Sequence, residues 1–303
     1  MDNVMILIKQ LIIMVIYCMI GYILQRRKMI SQEGCSAFST LRVYVILPCV
    51  IISSFFRETT AEATFQLAIS FVLAIALLGL SMVLSYLLFR KRPIDNFSSC
   101  FSQAGFTGVP LISSILGSDA IFLIAAYVSL QNILQWTYGM PLLLPKTKTK
   151  LTTILKNPLV ISLMIGVVVY LLPIQLPSTL NSCITGITKC NTPLSMIVLG
   201  YYLAEVPFTE LFRNPSIYPV SIARLLIIPA ATLAVLALIP NIGMDFKLAL
   251  LIAASCPVGI NVAIYAKRAG GDYHRASVCI CQSAVLSLIT LPLILIVATK
   301  LFA

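Results

Sequence analysis

The stretch from Phe97 to Gly117 is long and apolar enough to cross a lipid bilayer, yet Gly105, Gly108 and Pro110 lie in its middle. Glycine costs backbone entropy in a helix, and proline removes a hydrogen-bond donor and clashes with the preceding turn. Inside lipid, a broken backbone is stable only where protein or a water-filled cavity satisfies its free N–H and C=O groups. We therefore expect this segment to cross at the centre of a membrane domain, away from lipid.

A second stretch, from Leu251 to Gly271, repeats this pattern with Pro257, Gly259 and Asn261. Two interrupted apolar segments at matching places in the two halves of a chain are typical of the substrate site of a secondary transporter. The alternative is that the prolines only kink two otherwise continuous helices. The pairing of prolines with glycines in both halves favours two broken helices.

The composition is that of a polytopic membrane protein. Hydrophobic residues make up 59% of the chain and charged residues 10%, with a mean hydropathy of +1.01, whereas soluble domains carry about 25% charged residues. Segments of about 20 apolar residues suffice to span a bilayer, and ten are present. They are residues 4–24, 34–56, 64–89, 97–117, 120–144, 158–175, 184–205, 216–239, 247–267 and 276–299. The sequence therefore predicts an all-α protein with ten transmembrane helices.

The basic residues indicate the orientation of these spans. The net charge is +11, and 14 of the 21 lysines and arginines fall in or beside the loops that follow spans one, three, five, seven and nine. The positive-inside rule places these loops in the cytoplasm and both termini on the non-cytoplasmic side of the cell membrane. The positive net charge is thus explained by the membrane topology. We expect the protein to contact lipid and not to bind nucleic acid.

Landmarks in the two halves recur in one order. Gly21 precedes Pro48 by 27 residues, and Gly166 precedes Pro193 by 27 residues. The proline of each interrupted span follows after a further 62 or 64 residues. Internal spacing of this kind indicates a repeat.

Five spans per repeat is an odd number, so the second copy is inserted upside down. This predicts two inverted repeats, residues 1–145 and 158–303, joined by a cytoplasmic linker at 146–157. In such folds the broken helices, here spans four and nine, cross near the membrane midplane.

Four motifs carry a family resemblance: QAGFTGVPL (103–111), NILQWTYG (132–139), ARLLIIP (223–229) and SCPVGINVAIYAKRAGGD (255–272). Over essentially the whole chain, the sequence resembles the auxin efflux carrier family of permeases. This family includes bacterial permeases for malate and other carboxylates and the plant PIN-formed auxin exporters. The resemblance implies a fold shared with bile acid sodium symporters and a homodimer formed through its scaffold.

The resemblance further implies a division of labour between spans. Spans one, two, six and seven would form the scaffold, and spans three to five and eight to ten a transport domain that moves as a rigid body, an elevator. The family often has asparagine where this chain has Gln103, so the substrate is expected to differ from that of better-known members. Only residues 145–157 join the halves, which argues against a plant-type exporter with its long cytoplasmic loop.

Candidate substrate-binding residues surround the two interruptions. A half-helix beginning after Gly108 and Pro110, or after Pro257, would present free N–H groups and a positive dipole end to an anion. The amides of Gln103 and Asn261 can both donate and accept, and the resemblance places a further polar contact at Asn132. For all three amides the alternative is an interhelical hydrogen bond that only supports packing. Ser113 and Ser114 lie one turn beyond Pro110. Ser113 is a further candidate for substrate contact, and the alternative is that these hydroxyls bind freed carbonyl groups.

Charged residues inside spans are costly and call for a reason. Lys9 is close enough to the outer end of span one to extend to the interface. Arg42 is placed either to bend back to the cytoplasmic surface or to act in the site. Arg224 belongs to the ARLLIIP motif and is expected either to bind substrate or to brace the crossing.

Other function classes find little support. All ten acidic residues fall in loops or at span ends, which weakens tight coupling to H⁺ or Na⁺. Backbone carbonyls at broken helices can also hold Na⁺, so the sequence leaves the coupling ion open. No nucleophile–base pair, phosphate loop, metal cluster or cofactor motif is present, so no enzyme is expected, and the nine cysteines are interpreted as small apolar fillers. The sequence predicts a secondary transporter for a small organic anion, a carboxylate or an auxin-like acid. The alternative is a ligand-gated channel or a membrane-embedded receptor with the same fold.

Overall fold

The computed structural model describes residues 2–144, 152, 155–172, 176–240 and 242–302. Most of the linker predicted at 146–157, and Pro173 at the predicted end of span six, lie outside the described residues. The described chain is helical, and the only strand-like pairing within it is a single β-bridge. The helices used below are α1 Asp2–Arg26, α2 Gln32–Ser54, α3 Ala61–Phe89, α4 Pro93–Cys100, α5 Ala104–Leu116, α6 Ser118–Leu143, α7 Pro158–Leu171, α8 Ser178–Lys189, α9 Asn191–Glu205, α10 Phe208–Arg213, α11 Tyr218–Ala237, α12 Met244–Ser255, α13 Asn261–Arg268 and α14 Tyr273–Phe302.

Six of these helices are long and apolar enough to cross a membrane by themselves: α1, α2, α3, α6, α11 and α14. The other predicted spans take other forms. Spans four and nine are each two shorter helices, span six is the 14-residue α7, and span seven consists of α8 and α9. The prediction of an all-helical polytopic membrane protein is confirmed, while the number of ten spans and the inverted repeat stay predictions.

Four helices contain a wide, π-helical turn, with one residue more than an α-helical turn, just before a proline. In each wide turn the residue before the proline donates its N–H to the carbonyl five residues back instead of four. Because proline has no N–H and its ring displaces the carbonyl four residues back, the wider turn removes the clash and keeps the helix continuous. The turns are Arg42–Ile46 before Pro48, Ala104–Gly108 before Pro110, Gln135–Gly139 before Pro141 and Ala223–Ile227 before Pro229.

These turns correct the expectation that Pro110 itself breaks span four. Pro110 is buried inside α5, and the helix is interrupted earlier, at residues 101–103. Pro257, in contrast, lies within the interruption between α12 and α13. The first piece of span four also begins at Pro93, four residues before the predicted start, because proline is favoured in the first turn of a helix.

The tightest helix pair in the described chain is α1 with α9, where glycines let the backbones touch. A Cβ atom on Gly21 would lie 2.0 Å from the carbonyl oxygen of Ile197, and one on Gly200 would lie 1.9 Å from that of Cys18. A second close contact joins α7 to the end of α2, since a Cβ on Gly166 would lie 2.5 Å from the ring of Phe55, which directly follows α2. Small residues allow this approach between membrane helices, where dispersion contacts replace the hydrophobic effect.

We expect Gly200→Ala to lower the free energy of unfolding by about 1–3 kcal/mol, because the new methyl group forces two backbones apart. Thermal unfolding of the purified protein in detergent measures this change. The matched control is Gly79→Ala in α3, where no described atom beyond the adjacent helix backbone lies within 4 Å of the added Cβ, and no loss is expected. Equal melting temperatures for the two variants would show that α1 and α9 can separate at no cost.

Asp95 and Arg275 form a partly buried ion pair that the sequence did not indicate, since both were assigned to a cytoplasmic loop. Arg275 Nε donates to Asp95 Oδ1 at 2.7 Å and Nη2 to Oδ2 at 2.8 Å. The side chain of Asp95 is only 1% exposed. Arg275 also donates to the carbonyl of Ser216 at 3.1 Å, so the pair joins the starts of α4 and α14 to the segment before α11.

The cysteines only partly match their interpretation as apolar fillers. Five of the nine are buried, and none forms a disulfide. Cys183 and Cys190, in and directly after α8, are exposed because that helix has no buried residue. Within the described residues, no group of three His, Cys, Asp or Glu side chains is close enough to hold a metal ion.

Candidate functional site

The interruptions of spans four and nine lie directly against each other. Residues 101–103 join α4 to α5, residues 256–260 join α12 to α13, and the two connectors run antiparallel with Ser102 opposite Val258. The N–H of Gln103 donates to the carbonyl of Pro257 at 2.8 Å, and the N–H of Gly259 donates to the carbonyl of Phe101 at 3.1 Å. The two connectors thus satisfy part of each other's free backbone, as a break inside a membrane requires.

Two glycines permit this close approach. A Cβ on Gly259 would lie 3.2 Å from the carbonyl oxygen of Ser102, and one on Gly108 would lie 3.1 Å from the sulfur of Cys256. Both distances are tighter than ordinary van der Waals contact. Gly108, a predicted site residue, is therefore placed as a packing contact between the two broken spans.

Arg224 braces the crossing. Its Nη1 donates to the carbonyls of Ser99 at 2.9 Å and Cys100 at 3.1 Å, and its Nη2 donates to the carbonyl of Ala254. These are the last carbonyls of α4 and α12, where the helix dipoles present negative charge. The fully buried guanidinium thereby compensates two converging negative helix ends. The sequence left two roles open for Arg224, substrate binding and bracing of the crossing, and these contacts support bracing.

Polar side chains satisfy the remaining connector groups. Gln131 in α6 donates from Nε2 to the carbonyl of Ser102 at 2.8 Å and accepts from the Ser102 hydroxyl at 2.7 Å. Ser283 in α14 accepts from the N–H of Val258 at 3.0 Å, and Ser81 in α3 donates to the carbonyl of Cys100 at 2.6 Å. The crossing is thus held by side chains from three surrounding helices, which fixes its shape.

A small polar cavity lies beside the crossing. Its volume is about 40 Å³, which is room for a few water molecules at roughly 10–15 Å³ of probe-occupied volume each. Helix α2 forms one side, and the connectors with α6 and α13 form the others. The lining residues are Arg42, Val43, Leu47, Ser102, Gln103, Gly105, Phe106, Val128, Gln131, Asn132, Gln135, Leu159, Gly259, Ile260 and Asn261.

Three predicted amides meet at this cavity, but their hydrogen bonding differs. Asn261 donates to Oε1 of Gln135, and Asn132 accepts from Nδ2 of Asn157 at 2.7 Å. Gln103 is 3% exposed, and neither of its side-chain polar atoms has a partner among the described residues. Buried polar groups are nearly always paired, so an unpaired amide at a cavity marks free binding capacity.

Arg42 also lines the cavity, and the sequence had left open whether it bends back to the cytoplasmic surface or acts in the site. The expectation that it bends back to the surface is wrong, because the side chain is fully buried. Its Nε donates to the hydroxyl of Ser195 at 2.5 Å, its Nη2 donates to the carbonyl of Gly105, and its guanidinium carbon lies 3.4 Å from the ring centroid of Phe106. The indication in the sequence was the position of Arg42, eight residues inside an apolar span. Gln131 and Gln135 also line the cavity, but nothing comparable in the sequence indicated them.

The remaining predicted residues lie elsewhere. Pro110 and Ser113 line a separate cavity of about 500 Å³ toward the other end of α5, together with Asp119 and Lys189. Pro257 borders an apolar cavity of about 110 Å³ between α1, α9 and α14. Ser114 donates to the carbonyl of Pro110 at 2.8 Å within α5. The substrate role of each predicted residue stays a prediction.

The sequence profile of a family described as membrane transport protein matches residues 6–152 and 147–295. The chain belongs to this family. The resemblance to auxin efflux carriers is thereby confirmed, since this is the family to which they belong. An uncharacterized transporter from Methanothermobacter thermautotrophicus is 26% identical over 288 residues, which covers 91% of this chain and 93% of the relative. Membership of the membrane transport protein family and this relative indicate a transporter and not an enzyme.

Proposed function

We propose that this protein is a secondary transporter that carries a small organic anion, a carboxylate or an auxin-like acid, across the cell membrane. The observation that carries the proposal is the amide of Gln103, which has no hydrogen-bond partner among the described residues and lies in a polar cavity at the crossing of two broken helices. Broken membrane helices place substrate sites at such crossings. Among the described residues no aspartate or glutamate lines the cavity, so these walls do not repel an anion.

The helix ends around the cavity supply a positive field. The connector residues Gln103 and Ile260 directly precede α5 and α13, and both line the cavity. Helix N-termini carry free N–H groups and a partial positive charge that favours anions. The opposing negative ends, those of α4 and α12, are compensated by Arg224. The helix dipoles at the cavity therefore favour a negative ligand.

The positions of the cavities support transport by alternating access. Arg42, Val43 and Leu47 of α2 form one wall of the small cavity, and the crossing forms another. The larger cavity at Pro110 and Ser113 also lies between the crossing helix α5 and residues of α2 and α8. Cavities at both ends of α5 support an elevator in which spans three to five and eight to ten move past a scaffold of spans one, two, six and seven. The close α1–α9 and α2–α7 contacts support this scaffold.

The proposed mechanism also includes a membrane topology. The inverted repeats are residues 1–145 and 158–303, the linker at 146–157 is cytoplasmic, and both termini are non-cytoplasmic, as the distribution of basic residues favours. A homodimer would form through the scaffold. An inverted arrangement suits alternating access because the two halves then exchange equivalent environments.

Counterflow in proteoliposomes tests the proposed function. We expect uptake of a labelled carboxylate from a panel of acetate, lactate, succinate and malate to be saturable. Unlabelled substrate on the opposite side should accelerate it several-fold. Each carboxylate is paired with its uncharged amide, which should not be carried. Saturable uptake without trans-stimulation would favour a channel, and preference for the amides would overturn an anion carrier.

A further inference from the structure

We propose that Arg42 is the residue that binds the carboxylate group of the transported ligand. The inference rests on the proposed function, because it assigns a ligand contact within the same cavity. It follows from the charge of Arg42, its unused hydrogen-bond donors and its position beside Gln103.

The charge of Arg42 has no counter-ion in the described part of the chain. The guanidinium is fully buried, none of the described salt bridges includes it, and no acidic residue lines its cavity. An uncompensated buried cation is strongly unfavourable unless something pairs with it. The aromatic face of Phe106 compensates part of the charge. An anionic ligand would compensate the remainder.

The donors of Arg42 are also incompletely used. Arginine carries five N–H donors in a planar fork. One contact from Nε to Ser195 and one from Nη2 to Gly105 are present, and Nη1 is buried with no partner among the described residues. A carboxylate has two acceptor oxygens in the geometry that such a fork matches.

Arg42 and Gln103 lie close enough to bind one ligand. Arg42 contacts the carbonyl of Gly105, which is two residues from Gln103, and both side chains line the same cavity. Both also carry buried polar atoms without partners in the described chain. Together they offer N–H donors to a carboxylate and an amide to a neighbouring polar group of the ligand.

The other buried arginine, Arg224, shows what a structural arginine in this protein looks like. Its Nε, like Nη1 of Arg42, has no partner among the described residues, but its Nη1 and Nη2 donate to three carbonyls at the negative ends of two helices. Arg42 instead bonds one hydroxyl and one carbonyl, and that carbonyl belongs to Gly105 near the start of α5, at the positive end of the helix dipole. The environment of Arg42 thus lacks the negative charge that compensates Arg224.

Binding to purified protein tests this assignment with the four carboxylates and their amides as probes. Arg42→Gln should reduce the preference for carboxylate over amide by about ten- to hundredfold, the usual value of a hydrogen bond to a charged group. Arg42→Lys keeps the charge without the fork and should retain part of the preference. The matched control is Arg27→Gln, which removes an exposed arginine and should bind as the wild type does. A purely structural role would weaken both probes equally and leave their ratio unchanged.

Each outcome has one meaning. If Arg42→Gln prefers carboxylate over amide as strongly as the wild type does, the assignment of Arg42 to the carboxylate group is overturned. The proposed transport of anions is then unaffected. No carboxylate preference in the wild type itself overturns the anion carrier and this assignment with it. Should Arg42→Gln fail to fold, Arg42→Lys decides, because an unchanged carboxylate-to-amide ratio in that variant would also overturn the assignment.

Discussion

Replacing Arg224 by glutamine should abolish folded, monodisperse protein. The carbonyls of Ser99, Cys100 and Ala254 would lose their shared donor inside the membrane domain. Each unsatisfied buried group costs about 1–3 kcal/mol, and disrupting a buried charged network costs about 3–5 kcal/mol. That loss is comparable to the whole stability of many proteins, about 5–15 kcal/mol. Size-exclusion chromatography and thermal unfolding in detergent measure it.

Two further variants test whether the loss of stability comes from the contacts of Arg224. Arg224→Lys keeps the charge, but a compact ammonium cannot reproduce the fork that reaches both α4 and α12, so intermediate stability is expected. Arg27→Gln removes an exposed guanidinium and should leave the melting temperature unchanged. A folded Arg224→Gln protein that has lost only substrate affinity would instead place Arg224 in the binding site.

Gln103→Ala should lose substrate affinity without losing stability. Its side chain bonds nothing in the described chain, so its removal leaves no orphaned partner. If its amide binds an anionic substrate, the loss is about 1.5–3 kcal/mol, which is roughly ten- to hundredfold in affinity. Saturable uptake in proteoliposomes measures the affinity, and thermal unfolding confirms that the protein is intact.

Gln131→Ala provides the matched contrast. Gln131 is a buried glutamine at the same cavity, but both of its side-chain polar atoms are bonded to Ser102. Its removal should therefore lower the melting temperature. Asn261→Ala should reduce uptake as Gln103→Ala does, with some loss of stability because Gln135 loses its partner. Wild-type transport in both Gln103→Ala and Asn261→Ala would remove the site assignment.

The position of the break shows a limit of sequence reasoning. Glycine and proline in an apolar span predicted an interruption, and one exists, but it lies at residues 101–103 and not at Pro110. The wide turn Ala104–Gly108 absorbs the missing N–H of Pro110 within α5. A sequence shows that a proline requires an adjustment, whereas the neighbouring helices decide whether the chain bends, widens or breaks.

For the polar residues, too, the sequence identified candidates and the structure decided what each one contacts. Gln103, Asn132 and Asn261 were recognised as candidates because amides beside interrupted spans are unusual, and all three line one cavity. Arg42 and Arg224 are similar in sequence, each in an apolar span before a proline, yet one lies at the cavity and the other braces the crossing. Their partners Ser195 and Ser99 are 153 and 125 positions away along the chain, which local pattern cannot reveal.

The sequence by itself determined that this chain is a helical membrane protein of the transport family, with two interrupted spans and polar residues around them. Hydropathy, helix-breaking residues and motifs are local properties, and lipid leaves a chain few ways to satisfy its backbone. Only the tertiary structure decided which buried donors are satisfied and which remain free. That outcome depends on how distant helices pack: they pair Asp95 with Arg275 and leave the Gln103 amide without a partner among the described residues.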